Sequence, residues 1–185
     1  MKFNELPLKG AYLIDLEKRG DDRGFFARYW CRNEFEKLGL DTNIVQINNS
    51  MSRYNGTLRG LHFQHPPKAE SKIVRCISGA IWDVIVDIRK DSETYGKWFG
   101  TELNTENRTM IYIPKGFAHG FVSVSDNSEI IYLVTEFYCP EYEDCLLWND
   151  PTVGIKWPIE PVIISDKDRN SKKLNQINDF LLQTG

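Results

Sequence analysis

The chain is poor in several things that would otherwise decide its class at once. It has only three histidines and four cysteines in 185 residues. Cys31, Cys76, Cys139 and Cys145 form no C-x-x-C pair, so neither a zinc ribbon nor a thioredoxin-like redox motif is written here. Scattered in this way they read as packing thiols. No apolar run approaches transmembrane length, and residues 1–7 lack the apolar stretch of a secretory signal. The expectation is a cytoplasmic protein with reduced thiols and no membrane attachment. Neither sign of charge dominates. With 23 Lys and Arg against 26 Asp and Glu, the net charge is −3, which argues against a general nucleic-acid or anionic-membrane binder. Repeats, low-complexity runs and linker-like segments are also missing. A single domain over residues 1–185 is expected, of a length that suits one well-packed core.

What is present is strand-rich. Residues 73–77 and 80–88 read as two strands joined as a hairpin at Ser78-Gly79. In the second, Trp82, Val84, Val86 and Ile88 share one face, and Ile81, Asp83, Ile85 and Asp87 share the other. Two carboxylates on one face fit either a solvated side or a polar cavity. Further strands are expected over 97–103, 109–113, 119–124 and 128–137, separated by turn residues at about ten-residue spacing, the rhythm of an antiparallel sandwich or barrel. Helices are few. Asn33 can cap a short one over 34–38, ended by Gly39. Leu174, Ile177, Phe180 and Leu181 fall on one side of a helix near the C-terminus.

Two runs hold the chemistry: residues 59–64 with Lys72 beyond them, and residues 114–120. They have the layout of a cupin metal motif without its metal. Gly56 precedes His62 at the usual distance and Gly79 closes the run. Gln64 stands where a second histidine ligand belongs, and Lys72 where a glutamate belongs. The second half, Pro-x-Gly-x-x-His, is intact at Pro114, Gly116 and His119. A lysine ammonium has no lone pair and repels a cation, so no metal is expected and proton chemistry takes its place.

His62 is either a satisfied core histidine or a base. Arg59, His62, Gln64 and Lys72 converge in one stretch, and burying four such groups without water or a ligand is costly. His65, three residues on, faces the other way and reads as rim or surface. Tyr132, in an apolar strand, is either a core aromatic or a general acid. Asp168 follows Ser165 by three residues, as in an acidic variant of a helix-capping pair; alternatively its carboxylate orients a histidine.

In this order and spacing, these residues resemble the dTDP-4-dehydrorhamnose 3,5-epimerase family over nearly the full length. The resemblance is carried by Asp22-Arg23-Gly24-Phe25-Phe26, residues 58–64, Lys72-Ile73-Val74-Arg75, residues 86–90 and 113–121, Trp148-Asn149-Asp150-Pro151 with Gly154-Ile155, and residues 165–168. It implies a mainly β, cupin-like antiparallel barrel (a jelly roll) with a few short helices, a homodimer sharing strands and nucleotide contacts, and no metal or cofactor. The implied substrate is a nucleotide-diphospho-4-keto-6-deoxyhexose, inverted at C3 and C5 in deoxysugar biosynthesis for a surface polysaccharide or glycosylated product. By position, His62 is the implied base, Asp168 its orienting partner, Tyr132 the acid and Lys72 the enolate stabiliser, with His119 near the C4 oxygen. Arg59 and Lys167 match diphosphate contacts. Arg23, Phe26, Gln46, Asn48 and Tyr138 match positions around the nucleotide.

Three departures stand out. Arg28 replaces a glutamate and Ile47 an aspartate common in the family. An arginine cannot accept the N3–H of thymine, so Arg28 either favours another base, as in a CDP- or GDP-sugar, or meets only phosphate or solvent. Leu133 replaces a lysine and could reshape the sugar end of the pocket. The rival readings are a single-centre epimerase on a CDP- or GDP-linked sugar, a non-catalytic sugar-nucleotide binding cupin, and a metal cupin.

Overall fold

The computed structural model describes residues 1–177. Fourteen strands follow in order: β1 (Lys2–Glu5), β2 (Tyr12–Asp15), β3 (Arg19–Asp21), β4 (Gly24–Phe26), β5 (Gln46–Ser52), β6 (Thr57–Gln64), β7 (Lys72–Ser78), β8 (Ala80–Asp87), β9 (Trp98–Asn104), β10 (Met110–Ile113), β11 (Phe117–Ser123), β12 (Ser128–Val134), β13 (Glu143–Cys145) and β14 (Ile163–Ile164). The helices are α1 (Arg32–Glu36), α2 (Asp166–Arg169) and a 3-10 turn at Leu174–Gln176.

Two sheets face each other in the manner of a jelly roll. The first runs β1-β2-β10-β7-β12-β5, and the second runs β13-β6-β11-β8-β9, with β14 added beside β6. All pairs are antiparallel except β14 with β6. The core between the sheets follows from strand alternation. Val74, Cys76, Ile111 and Ile113 meet Ile81, Ile85, Leu103, Phe117 and Phe121 there. The other face of β8, with Val84 and Val86, packs under Leu146, Val153, Leu174 and Ile177. The other face of the first sheet, with Ile73, Met110 and Leu133, packs against Phe35 of α1.

Strand positions agree with the periodicity, but the connection at Ser78-Gly79 does not. β7 bonds to β10 and β12, while β8 bonds to β9 and β11. The expected hairpin is therefore a crossing from one sheet to the other. Alternation shows which faces are buried; it does not show which neighbour occupies an edge. Gly79 permits the crossing with φ +66°, and a Cβ there would stand 2.6 Å from Ser125 Oγ.

Helix α1 starts earlier than the capping rule places it. Its N-cap is Cys31, with no side-chain cap, and Asn33 lies inside the helix. Burial of Phe35, fully enclosed, fixes the helix in place of a cap, and the chain leaves through Gly39 at φ +68°. Near the C-terminus, Leu174 and Ile177 are buried as expected, but on a 3-10 turn. Phe180 and Leu181 lie outside the described residues. Among the described residues no helix is long and apolar enough to cross a membrane.

Candidate active site

A cavity of about 510 Å³ opens between the two sheets, and His62, Lys72, His119, Tyr132, Arg59, Lys167 and Asp168 all line it. A second cavity of about 380 Å³ shares His62, Lys72 and Tyr132 and adds Gln46, Asn48, Glu70, Tyr138 and Glu143. Ten of the thirteen residues picked from the sequence thus fall on two adjoining cavities. They arrive from both sheets: His62 and His119 from β6 and β11, Lys72 and Tyr132 from β7 and β12.

The wall carrying the histidines is built by an unusually close strand approach. His62 and His119 are direct cross-strand partners, and the ladder then slips by a bulge between His119 and Phe121. Gly60 has φ +119°, and a Cβ on it would lie 2.5 Å from Gly120 Cα; one on Gly120 would lie 2.6 Å from the Arg59 carbonyl oxygen. Only glycine at both positions lets the backbones meet, and the bulge re-aims the adjoining side chains.

Each histidine has its own carboxylate. His62 Nε2 lies 2.6 Å from Asp168 Oδ1, and His119 Nε2 lies 2.7 Å from Asp83 Oδ2. A carboxylate oxygen accepts, so each imidazole donates through Nε2, and in the neutral ring it is Nδ1 that carries the lone pair. Ser165 and Asp168 combine the two roles that their spacing left open. Ser165 Oγ accepts the Asp168 N–H at 3.1 Å, which caps α2, and the Asp168 side chain is thereby free to reach His62. Burial works against ionisation of Asp168, but the hydrogen bond and charge of His62, with Ser165 and the Gly60 backbone, outweigh it and hold the carboxyl below its ordinary value.

On the facing sheet, Lys72 Nζ bonds Glu70 Oε1 at 2.5 Å. Burial pushes the Tyr132 phenol up, and the nearby Glu70 carboxylate pushes it further, against Arg59. Tyr132 therefore stays protonated at neutral pH and can donate. Around the mouth, Lys167 pairs with Glu143 at 2.6 Å, and Tyr138 O–H donates to the same carboxylate at 2.8 Å. Arg59 donates to Ser52 Oγ and the Met51 carbonyl oxygen.

Gln64, in the position of a cupin ligand, is spent on the backbone. It donates to the Lys68 and Phe137 carbonyl oxygens and accepts the Cys139 N–H at 2.6 Å. His62, Cys145 and Asp168 do bring three possible ligand atoms within 4.8 Å of one another. Their chemistry suits a metal poorly: burial pushes the Cys145 thiol up to about 12, and the facing atoms of His62 and Asp168 are joined to each other. His65 lies outside both cavities, paired with Asp144 at 3.0 Å.

Arg23, Phe26 and Arg28 are not brought to the cavities. Arg23 is exposed and pairs with Asp21, Phe26 is exposed, and Arg28 pairs with Glu34 at 3.4 Å. Leu133 also departs from expectation. It packs with Ile73 and Phe35 on the sheet face away from Tyr132, so it does not shape the sugar end. Ile47 sits exposed on β5, also away from the cavities.

Glu70 and Glu143 escape the sequence reading; Asp83, which alternation leaves between a solvated side and a polar cavity, is resolved as the partner of His119. The signal for Asp83 was its place among buried residues on the inward face of β8. Glu70 and Glu143 lie beside strand ends, where periodicity has nothing to say.

Comparison with known proteins places this arrangement among sugar-nucleotide enzymes. Residues 5–176 match the family described as dTDP-4-dehydrorhamnose 3,5-epimerase. A dTDP-4-dehydrorhamnose 3,5-epimerase of Methanothermobacter thermautotrophicus is 48% identical over 178 residues, covering 95% of each chain. The crystal structure of dTDP-4-dehydrorhamnose 3,5-epimerase from Elizabethkingia anophelis superposes with a TM-score of 0.92 at 42% identity, over 95% of this chain and 97% of that one. A 3'-monoepimerase from Streptomyces bikiniensis, in complex with dTDP-quinovose, superposes with a TM-score of 0.85 at 32% identity, over 93% and 87% of the two chains.

Proposed function

The chain belongs to the dTDP-4-dehydrorhamnose 3,5-epimerase family, and from that premise we propose that it inverts C3 and C5 of dTDP-4-keto-6-deoxyglucose in deoxysugar biosynthesis. The observation that carries the reading is the His62–Asp168 pair at 2.6 Å on one sheet, with Lys72 and Tyr132 entering the same cavity from the other. Protons on C3 and C5 are acidic because both carbons flank the C4 ketone. His62 Nδ1 takes one, while Asp168 fixes the tautomer and stabilises the imidazolium that forms. The electron pair moves onto the C4 oxygen, where a cation and a donor are most useful; Lys72 and His119 fill those places. Tyr132 returns a proton from the side of the facing sheet, which inverts the carbon. Arg59 and Lys167 suit the diphosphate, and Gln46, Asn48 and Tyr138 the nucleoside.

The proposed assembly is a homodimer. β5 ends the first sheet with an open edge and exposes Ile47 and Met51, while the β3–β4 hairpin exposes Phe25 and Phe26. Exposed apolar groups beside an open edge call for a partner. A second copy carrying its Arg23 and Phe26 to the cavity mouth would give these two residues the nucleotide contacts that one chain denies them. A cytoplasmic location fits the reduced thiols.

Solvent exchange in D₂O, read by NMR with dTDP-4-keto-6-deoxyglucose, tests the reaction. Deuterium is expected at both C3 and C5. Label at C3 alone would move the protein to the reaction class of the 3'-monoepimerase it resembles, and binding without exchange would make it a binding module. Calorimetry tests the base. With Arg28 held by Glu34, dTDP is expected to bind more tightly than CDP, and the reverse order would restore Arg28 as a selector of another base.

A further inference from the structure

Glu70 has no part in the mechanism above, yet it stands in direct contact with one of its central groups. Its carboxylate lies 2.5 Å from Lys72 Nζ, and the two side chains are only 10% and 11% exposed. The surface pair Lys68–Glu136 is longer, at 3.4 Å, and wetter. The backbone between Glu70 and Lys72 is pinned, because the buried Ser71 donates its N–H to Thr135 Oγ1 at 2.8 Å. In extended chain, residues two apart share a face, so both side chains turn to the cavity that also holds His62 and Tyr132.

We propose that Glu70 is a positioning residue of the reaction: its carboxylate holds the Lys72 ammonium in the cavity wall beside Tyr132, where negative charge develops on the substrate. This rests on the epimerase reading given above. Lysine carries a point charge on a flexible four-carbon stem. In a wall this dry, an ammonium without a counter-charge is costly to keep, and the stem is long enough to carry it away. The pair with Glu70 removes both problems and leaves two Nζ–H groups for the substrate oxygen. Glu70 also acts on Tyr132, whose phenol is raised by burial first and by the Glu70 carboxylate next. The other charged and titratable groups facing Tyr132 are Arg59, which lowers it, and Glu143, which raises it, with His62, Lys72 and His119 on the same cavity.

Two variants separate positioning from packing. Glu70→Gln keeps the shape and one acceptor and removes the charge; Glu70→Asp keeps the charge with a shorter reach. kcat and KM for deuterium exchange into dTDP-4-keto-6-deoxyglucose are measured from neutral to alkaline pH, with dTDP affinity as the check on folding. In Glu70→Gln, kcat is expected to fall about 10- to 100-fold, as for a displaced catalytic group, with KM and dTDP affinity within about twofold. The alkaline limb of kcat moves to lower pH, because without the Glu70 charge the Tyr132 phenol ionises more readily. Glu70→Asp recovers part of both effects. A Glu70→Gln enzyme with wild-type kcat and an unmoved alkaline limb overturns the proposal. So does a loss of kcat with no shift of the limb and no recovery in Glu70→Asp, which is the pattern of a structural role. Absence of exchange in the wild-type protein would instead overturn the epimerase reading itself.

Discussion

His62→Ala is expected to lower exchange at C3 and C5 by about 10²- to 10⁴-fold, the range for removing a positioned general base, while dTDP affinity stays near wild type. The asymmetry follows from where the side chain points. His62 is joined to Asp168 on one side and opens into the cavity shared by Lys72 and Tyr132, so its loss removes the base while the residues assigned to the diphosphate and nucleoside stay in place. Asp168→Asn should cost less in rate, since the base remains and only its tautomer and charge partner are disturbed. It also changes stability against pH in a defined direction. The Asp168 carboxyl ionises below its ordinary value in the folded chain. Its charged form therefore contributes stability above the unfolded value, about 3.9, and that contribution is lost as pH falls through the folded value. The asparagine variant lacks this segment of the acid unfolding profile. Turnover retained in His62→Ala would remove His62 as the base, whatever Asp168→Asn does.

The second large effect belongs to the wall behind the histidines. Gly60→Ala is expected to destabilise the fold by about 2–6 kcal/mol. Roughly 1–3 kcal/mol comes from a non-glycine residue held in a disfavoured backbone region, and about as much again from forced overpacking, since its Cβ would stand 2.5 Å from Gly120 Cα. Against a typical total of about 5–15 kcal/mol, that is enough to leave much of the protein unfolded. Gly24→Ala is the control. Gly24 has φ +127°, but a Cβ there meets nothing within 4 Å, so only the backbone cost remains. Guanidinium unfolding of the two variants measures the clash as a difference. Equal midpoints would mean that the close approach of β6 and β11 is not what demands glycine at residue 60.

Sequence patterning and the structure part company at connections and at edges. The alternation in β8 foretold both of its faces, including the inward Asp83, because period two is a property of the strand itself. It could not show that β7 and β8 belong to different sheets, since burial on both faces looks the same whichever strands are adjacent. Leu133 illustrates a second limit. Its neighbour Tyr132 lines the cavity, and strand alternation puts Leu133 on the other face. The family comparison had drawn it toward the sugar by proximity in sequence. The cavity residues were legible because histidine, lysine and tyrosine are unusual in apolar strands. Glu70 and Glu143 were harder, for carboxylates near strand ends are commonplace, and only their partners give them meaning.

His62 and Asp168 are separated by 106 positions in the chain. Such long closures come late in folding, after the local strand pairs have lowered their entropic cost. On a ribosome, the first two-thirds of the chain can form both sheets' central strands and still hold an imidazole without its carboxylate. The dyad is thus a reporter of completed folding: in a refolding experiment, recovery of exchange should trail the recovery of β-sheet signal.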